Sequence, residues 1–122
     1  MPPPDAMQLP LEVSFHNVDP SPALDARIRE LAGRLERYSS RITSCRVTVD
    51  APHHHQHQGA LYDVRIDITV PGREIVVRRS HPGDHAHEDP YVALRDAFRA
   101  ARRRLQDHER RISGRVKLHA SP

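Results

Sequence analysis

The sequence predicts an α+β domain of order β-α-β-β-β-α, a four-stranded sheet with two roughly parallel helices on one face. Two stretches place apolar residues at helical spacing, three stretches alternate apolar with polar residues, and a Pro-Gly pair joins the last of these to a fourth strand. A chain of 122 residues buries one compact core and not two. The expected organisation is a flexible leader over residues 1–10, a single domain over 11–112 and a flexible tail over 113–122.

Each element has its own local cause. Four prolines among the first ten residues deny that segment a regular backbone hydrogen-bond pattern. Leu11, Val13 and Phe15 then alternate with Glu12, Ser14 and His16, the period of a half-buried strand. Asp19-Pro20-Ser21-Pro22 starts a helix, with Ser21 as N-cap and Pro22 at the first helical position. Its core face is Leu24, Ile28, Leu31, Leu35 and Tyr38, which carries the expected helix to about residue 38.

Cys45, Val47 and Val49 alternate with Arg46 and Thr48, predicting a strand over about 43–50. The loop PHHHQHQG follows. Over about 60–70, Tyr62, Val64, Ile66, Ile68 and Val70 alternate with Asp63, Arg65, Asp67 and Thr69, the longest strand pattern of the chain. Pro71-Gly72 makes a tight turn, and a fourth strand returns over 74–79. Its phase stays open, because Ile75, Val76 and Val77 are consecutive. A second loop, SHPGDHAHED, leads to Asp89-Pro90 as N-cap and first residue of the last helix. That helix shows an apolar stripe of Tyr91, Leu94, Phe98, Ala101, Leu105 and Ile112 and is expected to fade near Ser113-Gly114.

A right-handed crossover makes the first two strands parallel, and the short loops make the remaining neighbours antiparallel. Both helices then cover one sheet face and run in the same direction. All five aromatic residues, Phe15, Tyr38, Tyr62, Tyr91 and Phe98, fall on expected core positions, which argues against an aromatic platform for single-stranded nucleic acid.

Charge is distributed unevenly. From residue 90 onward nine basic residues face only Asp96, Asp107 and Glu109, net +6, whereas residues 1–89 hold ten basic and thirteen acidic residues, net −3. Arg95, Arg99, Arg102 and Arg110 follow one flank of the last helix's apolar stripe, and Arg27, Arg34 and Arg41 follow one flank of the first helix at seven-residue steps. For parallel helices on one sheet, these flanks either face each other across a groove or spread over a wide basic surface. Either arrangement points to a polyanionic partner. Eighteen of the nineteen basic residues are arginine, which suits bidentate phosphate contacts, although a GC-rich genome produces the same bias.

Other classes are disfavoured. The single Cys45 allows no internal disulfide, and its phase with Val47 and Val49 predicts burial rather than nucleophilic chemistry. No stretch reaches the ~18 consecutive apolar residues of a membrane span, and a signal peptide is not apparent, so a cytoplasmic protein is expected. Asp63, Arg65 and Asp67 share a strand face as solvent-facing charges do. No phosphate-binding glycine loop or nucleophile elbow occurs, so neither an enzyme nor a cofactor or small-molecule substrate is expected.

Seven of ten histidines lie in the two long loops: His53, His54, His55 and His57 in one, His81, His85 and His87 in the other. His53, His55, His57, His85 and His87, with Asp84 or Glu88, are candidate ligands for Zn, Ni or Cu. Solvated loops account for them more simply, and no metal site is assigned. Their titration near pH 6.5 would add positive charge on acidification and strengthen binding to a polyanion.

The stretches LEVSFHNVDPSPALDARIRELAGRLERYSSRITSCRVTV, ITVPGREIVV and EDPYVALRDAFRAARRRLQDHERRI resemble the short ribosome hibernation promoting factors, also called ribosome-associated inhibitors or ribosomal subunit interface proteins. The resemblance spans about residues 7–111. It rests most on the Ser21-Pro22-Ala23-Leu24 helix start, on Leu35-Glu36-Arg37-Tyr38 before Arg41-Ile42, and on the acid and tyrosine that open the last helix. It implies a domain that binds the small ribosomal subunit and its rRNA near the decoding centre, blocks mRNA and tRNA sites, and preserves idle ribosomes under stress.

By position, the RNA contacts would fall to Arg34, Arg37, Arg41, Arg95, Arg99, Arg102, Arg103 and Arg110, with Arg27 added by its place in the first helix's line. The resemblance also implies a short form, since the sequence ends at Pro122. The proline-rich leader, the histidine loops and the tail GRVKLHASP depart from the family pattern. Two alternatives stand beside this reading: a histidine-loop metal-binding protein, and a general double-stranded RNA-binding domain.

Overall fold

The structure, a computed structural model, describes residues 10–51, 54–55, 59–60, 62–79 and 89–120. The elements are β1 (Leu11–His16), α1 (Pro22–Leu35), β2 (Ser44–Asp50), β3 (His54–His55), β4 (Gly59–Ala60), β5 (Asp63–Val70), β6 (Arg73–Arg79) and α2 (Pro90–Ala120). The α+β class and the β-α-β-β-β-α order of the main sheet and helices are as expected. The main sheet has the order β1-β2-β5-β6, and β3 and β4 form a separate two-stranded ladder.

Pairing is parallel between β1 and β2 and antiparallel between β2, β5 and β6. Its register aligns Val13, Val47, Ile66 and Val77 in one row across all four strands. A second row joins Leu11, Cys45, Ile68 and Ile75. Because strand side chains alternate between faces, both rows point to the helix side. Every member on β2, β5 and β6 is buried, while those on edge strand β1 are half-buried. Burial of Ile75 and Val77 settles the phase of β6, leaving Val76 on the open face.

α1 opens as its sequence dictates, with Ser21 Oγ accepting from the Leu24 N–H at 3.2 Å and Pro22 at the start. Leu24, Ile28, Ala32 and Leu35 are buried on the sheet. The helix ends at Leu35 rather than near residue 38. There Arg37 N–H donates to Arg34 O and Tyr38 N–H to Leu35 O, at 3.1 and 3.0 Å. These i→i+3 bonds close a tighter last turn. The apolar spacing continues through that turn, so Tyr38 still packs half-buried against the core.

α2 buries Ala93, Leu94, Ala97, Phe98, Ala100, Ala101 and Leu105. It continues to Ala120, which overturns the expected fade at Ser113-Gly114. Gly114 lacks the positive φ of a helix-ending glycine, so it costs only its modest helix propensity, about 1 kcal/mol, and does not stop the helix. The strand expected from residue 60 begins at Asp63, and Gly59–Ala60 pair instead with His54–His55.

Among the described residues two have positive φ. Gly72, at +76°, takes the corner of the β5–β6 turn that a side chain resists, as in a type II turn. Asn17, at 58°, turns the chain after β1 and donates from Nδ2 to Asp50 Oδ1 at 2.9 Å, tying the ends of β1 and β2.

Candidate nucleic-acid interface

The helices run in parallel, as contacts at both ends establish. Near their starts, Leu24 and Tyr91 border one cavity. Near their far ends, the Arg102 guanidinium lies over the Tyr38 ring at 4.8 Å, and Ser39 Oγ donates to Glu109 Oε1. Between the helices runs a groove of roughly 320 Å³. Arg27 and Arg34 line it from α1, and Arg95, Arg99 and Arg102 from α2. Leu31, Leu35, Tyr38 and Phe98 complete its lining. Of the two geometries the sequence left open, the structure therefore shows the arginine flanks facing each other.

The two walls differ in charge compensation. On α1, Glu30 divides its oxygens, Oε2 at 2.9 Å from Arg27 Nη1 and Oε1 at 2.7 Å from Arg34 Nη2. The hydrogen bond from Arg27, then its charge, then Arg34 hold the Glu30 carboxyl below the usual glutamate range. On α2, Arg95 meets Asp96 Oδ1 at 3.3 Å, a long contact between neighbouring residues. No carboxylate among the described residues pairs with Arg99 or Arg102. Arg102 lies over Tyr38 instead, a cation–π contact.

Not every expected contact residue enters the groove. Arg37 and Arg41 are exposed beyond the end of α1, and Arg103 is exposed on α2 outside the lining. Arg110 is bonded to Asp107 on the outer surface. Arg104, which the sequence did not single out, donates to the Val76 carbonyl and fastens α2 to edge strand β6. Tyr38 packs half-buried against the core, as expected, and also borders the groove. Tyr91, expected in the core, is instead 44% exposed. Glu30 was legible in principle, since it stands three residues after Arg27 and four before Arg34, both pairing distances on a helix.

The other described surfaces lack this character. On the open sheet face Arg46 pairs with Glu12 at 3.0 Å and Arg65 with Asp67 at 3.1 Å, so basic and acidic groups are interspersed. The cavity at the helix starts is larger, but Asp19, Ser21, Tyr62 and Tyr91 border it and no basic side chain among the described residues does. Cys45 is buried, and burial first, then the Asp67 charge, pushes its thiol up to about 12, far from a nucleophile's range.

His53, His57, His81, His85 and His87 lie outside the described residues, and of His54 and His55 only the backbone ladder is described. Among the described residues no group of three or more His, Cys, Asp or Glu is placed to hold a metal ion. No described helix is long and apolar enough to cross a membrane.

Fold and groove together define a small α+β domain whose helical layer presents an arginine-lined cleft. Residues 11–113 match the family described as Sigma 54 modulation protein / S30EA ribosomal protein, and the chain belongs to that family of ribosome-associated factors. This is the class of ribosome binding, hibernation and translation regulation to which the sequence resemblance pointed.

The fold is similar to that of a ribosomal subunit interface protein from Coxiella burnetii, with a TM-score of 0.67 and 16% identity over 83% of this chain and 98% of the other. It is also similar to the Protein Y N-terminal domain of Thermus thermophilus, with a TM-score of 0.63 and 15% identity over 82% of this chain and 99% of the other. No curated protein sequence matches the chain.

Proposed function

We propose that this protein is a cytoplasmic translation inhibitor. It docks the arginine groove on rRNA of the small ribosomal subunit near the decoding centre and occupies the space of mRNA and tRNA. The observation that carries this reading is the convergence of five arginines from two helices on one groove in a member of this family. Guanidinium groups match phosphate oxygens bidentately. Arg99 and Arg102, with no carboxylate partner among the described residues, are free to take phosphates without first breaking an ion pair. Arg37, Arg41, Arg103 and Arg110 extend the contact beyond the groove.

Folded RNA is recognised largely by shape and backbone, and inhibition by occupancy involves no catalytic step. In co-sedimentation at low salt, the protein is expected to pellet with small subunits. The triple variant Arg95→Glu, Arg99→Glu, Arg102→Glu is expected to stay in the supernatant while keeping its circular dichroism spectrum. Equal pelleting of the folded variant would refute the role of the groove.

A further inference from the structure

We propose that the groove between α1 and α2 takes one unpaired RNA base, stacked on the Arg102 guanidinium, with the flanking phosphates held by the surrounding arginines. This deepens the RNA-binding reading above and rests on it. A site for phosphates alone needs only a charged surface, whereas this one has an apolar lining of Leu31, Leu35 and Phe98 beneath its arginines. Its volume, roughly 320 Å³, falls at the small end of ligand pockets, about 300–1,000 Å³.

Arg102 supplies the stacking surface. The guanidinium carbon of Arg102 lies over the Tyr38 ring, 4.8 Å from its centroid, and the side chain is exposed, so the side away from the ring is open to a planar group. The contact with the ring restrains the guanidinium before the base arrives, which lowers the ordering cost of binding. Unpaired bases in RNA are recognised by stacking on aromatic rings or arginine planes. Arg99, one turn earlier on the same helix, carries no carboxylate partner among the described residues and borders the same groove, where a phosphate beside the base would sit. The open sheet face offers no such combination, because Arg46 and Arg65 are paired with acids there and no described arginine of that face lies over an aromatic ring.

The test uses the full chain and two hairpin RNAs of identical backbone, one with a single bulged adenosine and one with an abasic ribose in its place. Both carry the same phosphates, so fluorescence anisotropy isolates the base. The bulged adenosine is expected to bind on the order of tenfold more tightly, as base stacking gives. Arg102→Lys keeps the charge but loses the plane. It is expected to reduce that preference to under about twofold, the ratio of the two affinities being the readout whatever change both affinities share.

Equal affinities for the two hairpins, or an Arg102→Lys variant that keeps the full preference, would overturn the proposal and leave phosphate binding intact. Failure to bind either hairpin at low salt would overturn the RNA-binding reading and this proposal with it. A glutamate- and leucine-rich peptide that displaces the bulged hairpin at equal concentration would assign the groove to a protein partner and also overturn it.

Discussion

Glu30 shows how a single residue sets the balance of the groove. Its carboxylate neutralises much of the α1 wall, so free positive charge concentrates on α2, at Arg99 and Arg102. A carboxyl held below its ordinary value of 4.5 stabilises the fold fully above that pH and loses the contribution as pH falls through the lower folded value. A carboxyl carbon NMR titration is expected to place the Glu30 midpoint below 4.5, and Arg27→Ala to move it back upward.

The arginine lines were legible in the sequence because spacing on a helix fixes which residues share a flank. Tyr38 was not, since its spacing equals that of a core residue. Only the tightened turn after Leu35 and the approach of Arg102 make it part of the groove wall.

At the scale of elements, the strands and helices that build the core follow from local periodicity, and the structure keeps them within a few residues. The row Val13, Val47, Ile66 and Val77 is the period-two pattern of four separate segments brought into register. What periodicity missed has physical reasons. A two-residue ladder such as His54–His55 with Gly59–Ala60 has too few positions to show a period. The end of α1 is set by i→i+3 hydrogen bonds and not by polarity, and Ser113-Gly114 resembles a stop without the backbone conformation that would make it one.

The α1 start is the best-specified boundary, with the Ser21 hydroxyl on the Leu24 amide. Ser21→Ala is expected to lower unfolding free energy by about 1 kcal/mol in urea titration, while Ser21→Asn changes it little.

For the whole molecule, the division of charge acquires a geometry. The segment from residue 90 onward, net +6, is mostly α2, which lies on the helical side of the sheet, and the open face mixes basic and acidic groups, with Arg46 and Arg65 in ion pairs. The domain therefore presents one basic side to a polyanion and a mixed side to solvent. Parallel helices make this possible, because they bring Arg27 and Arg34 opposite Arg95, Arg99 and Arg102 along one groove. That convergence is not written in either helix alone; both wheel positions were legible, and only the packing decides whether the flanks meet.

Binding of polyanions through such contacts releases counterions, so the logarithm of affinity falls linearly with that of salt, by about 0.7–0.9 per phosphate neutralised. The most direct test is the salt dependence of binding to isolated small ribosomal subunits, compared between the protein and its Arg95→Gln, Arg99→Gln, Arg102→Gln variant. A slope shallower in the variant by roughly two to three is the expected result. An unchanged slope and affinity would show that the groove arginines do not touch the RNA and would contradict the account.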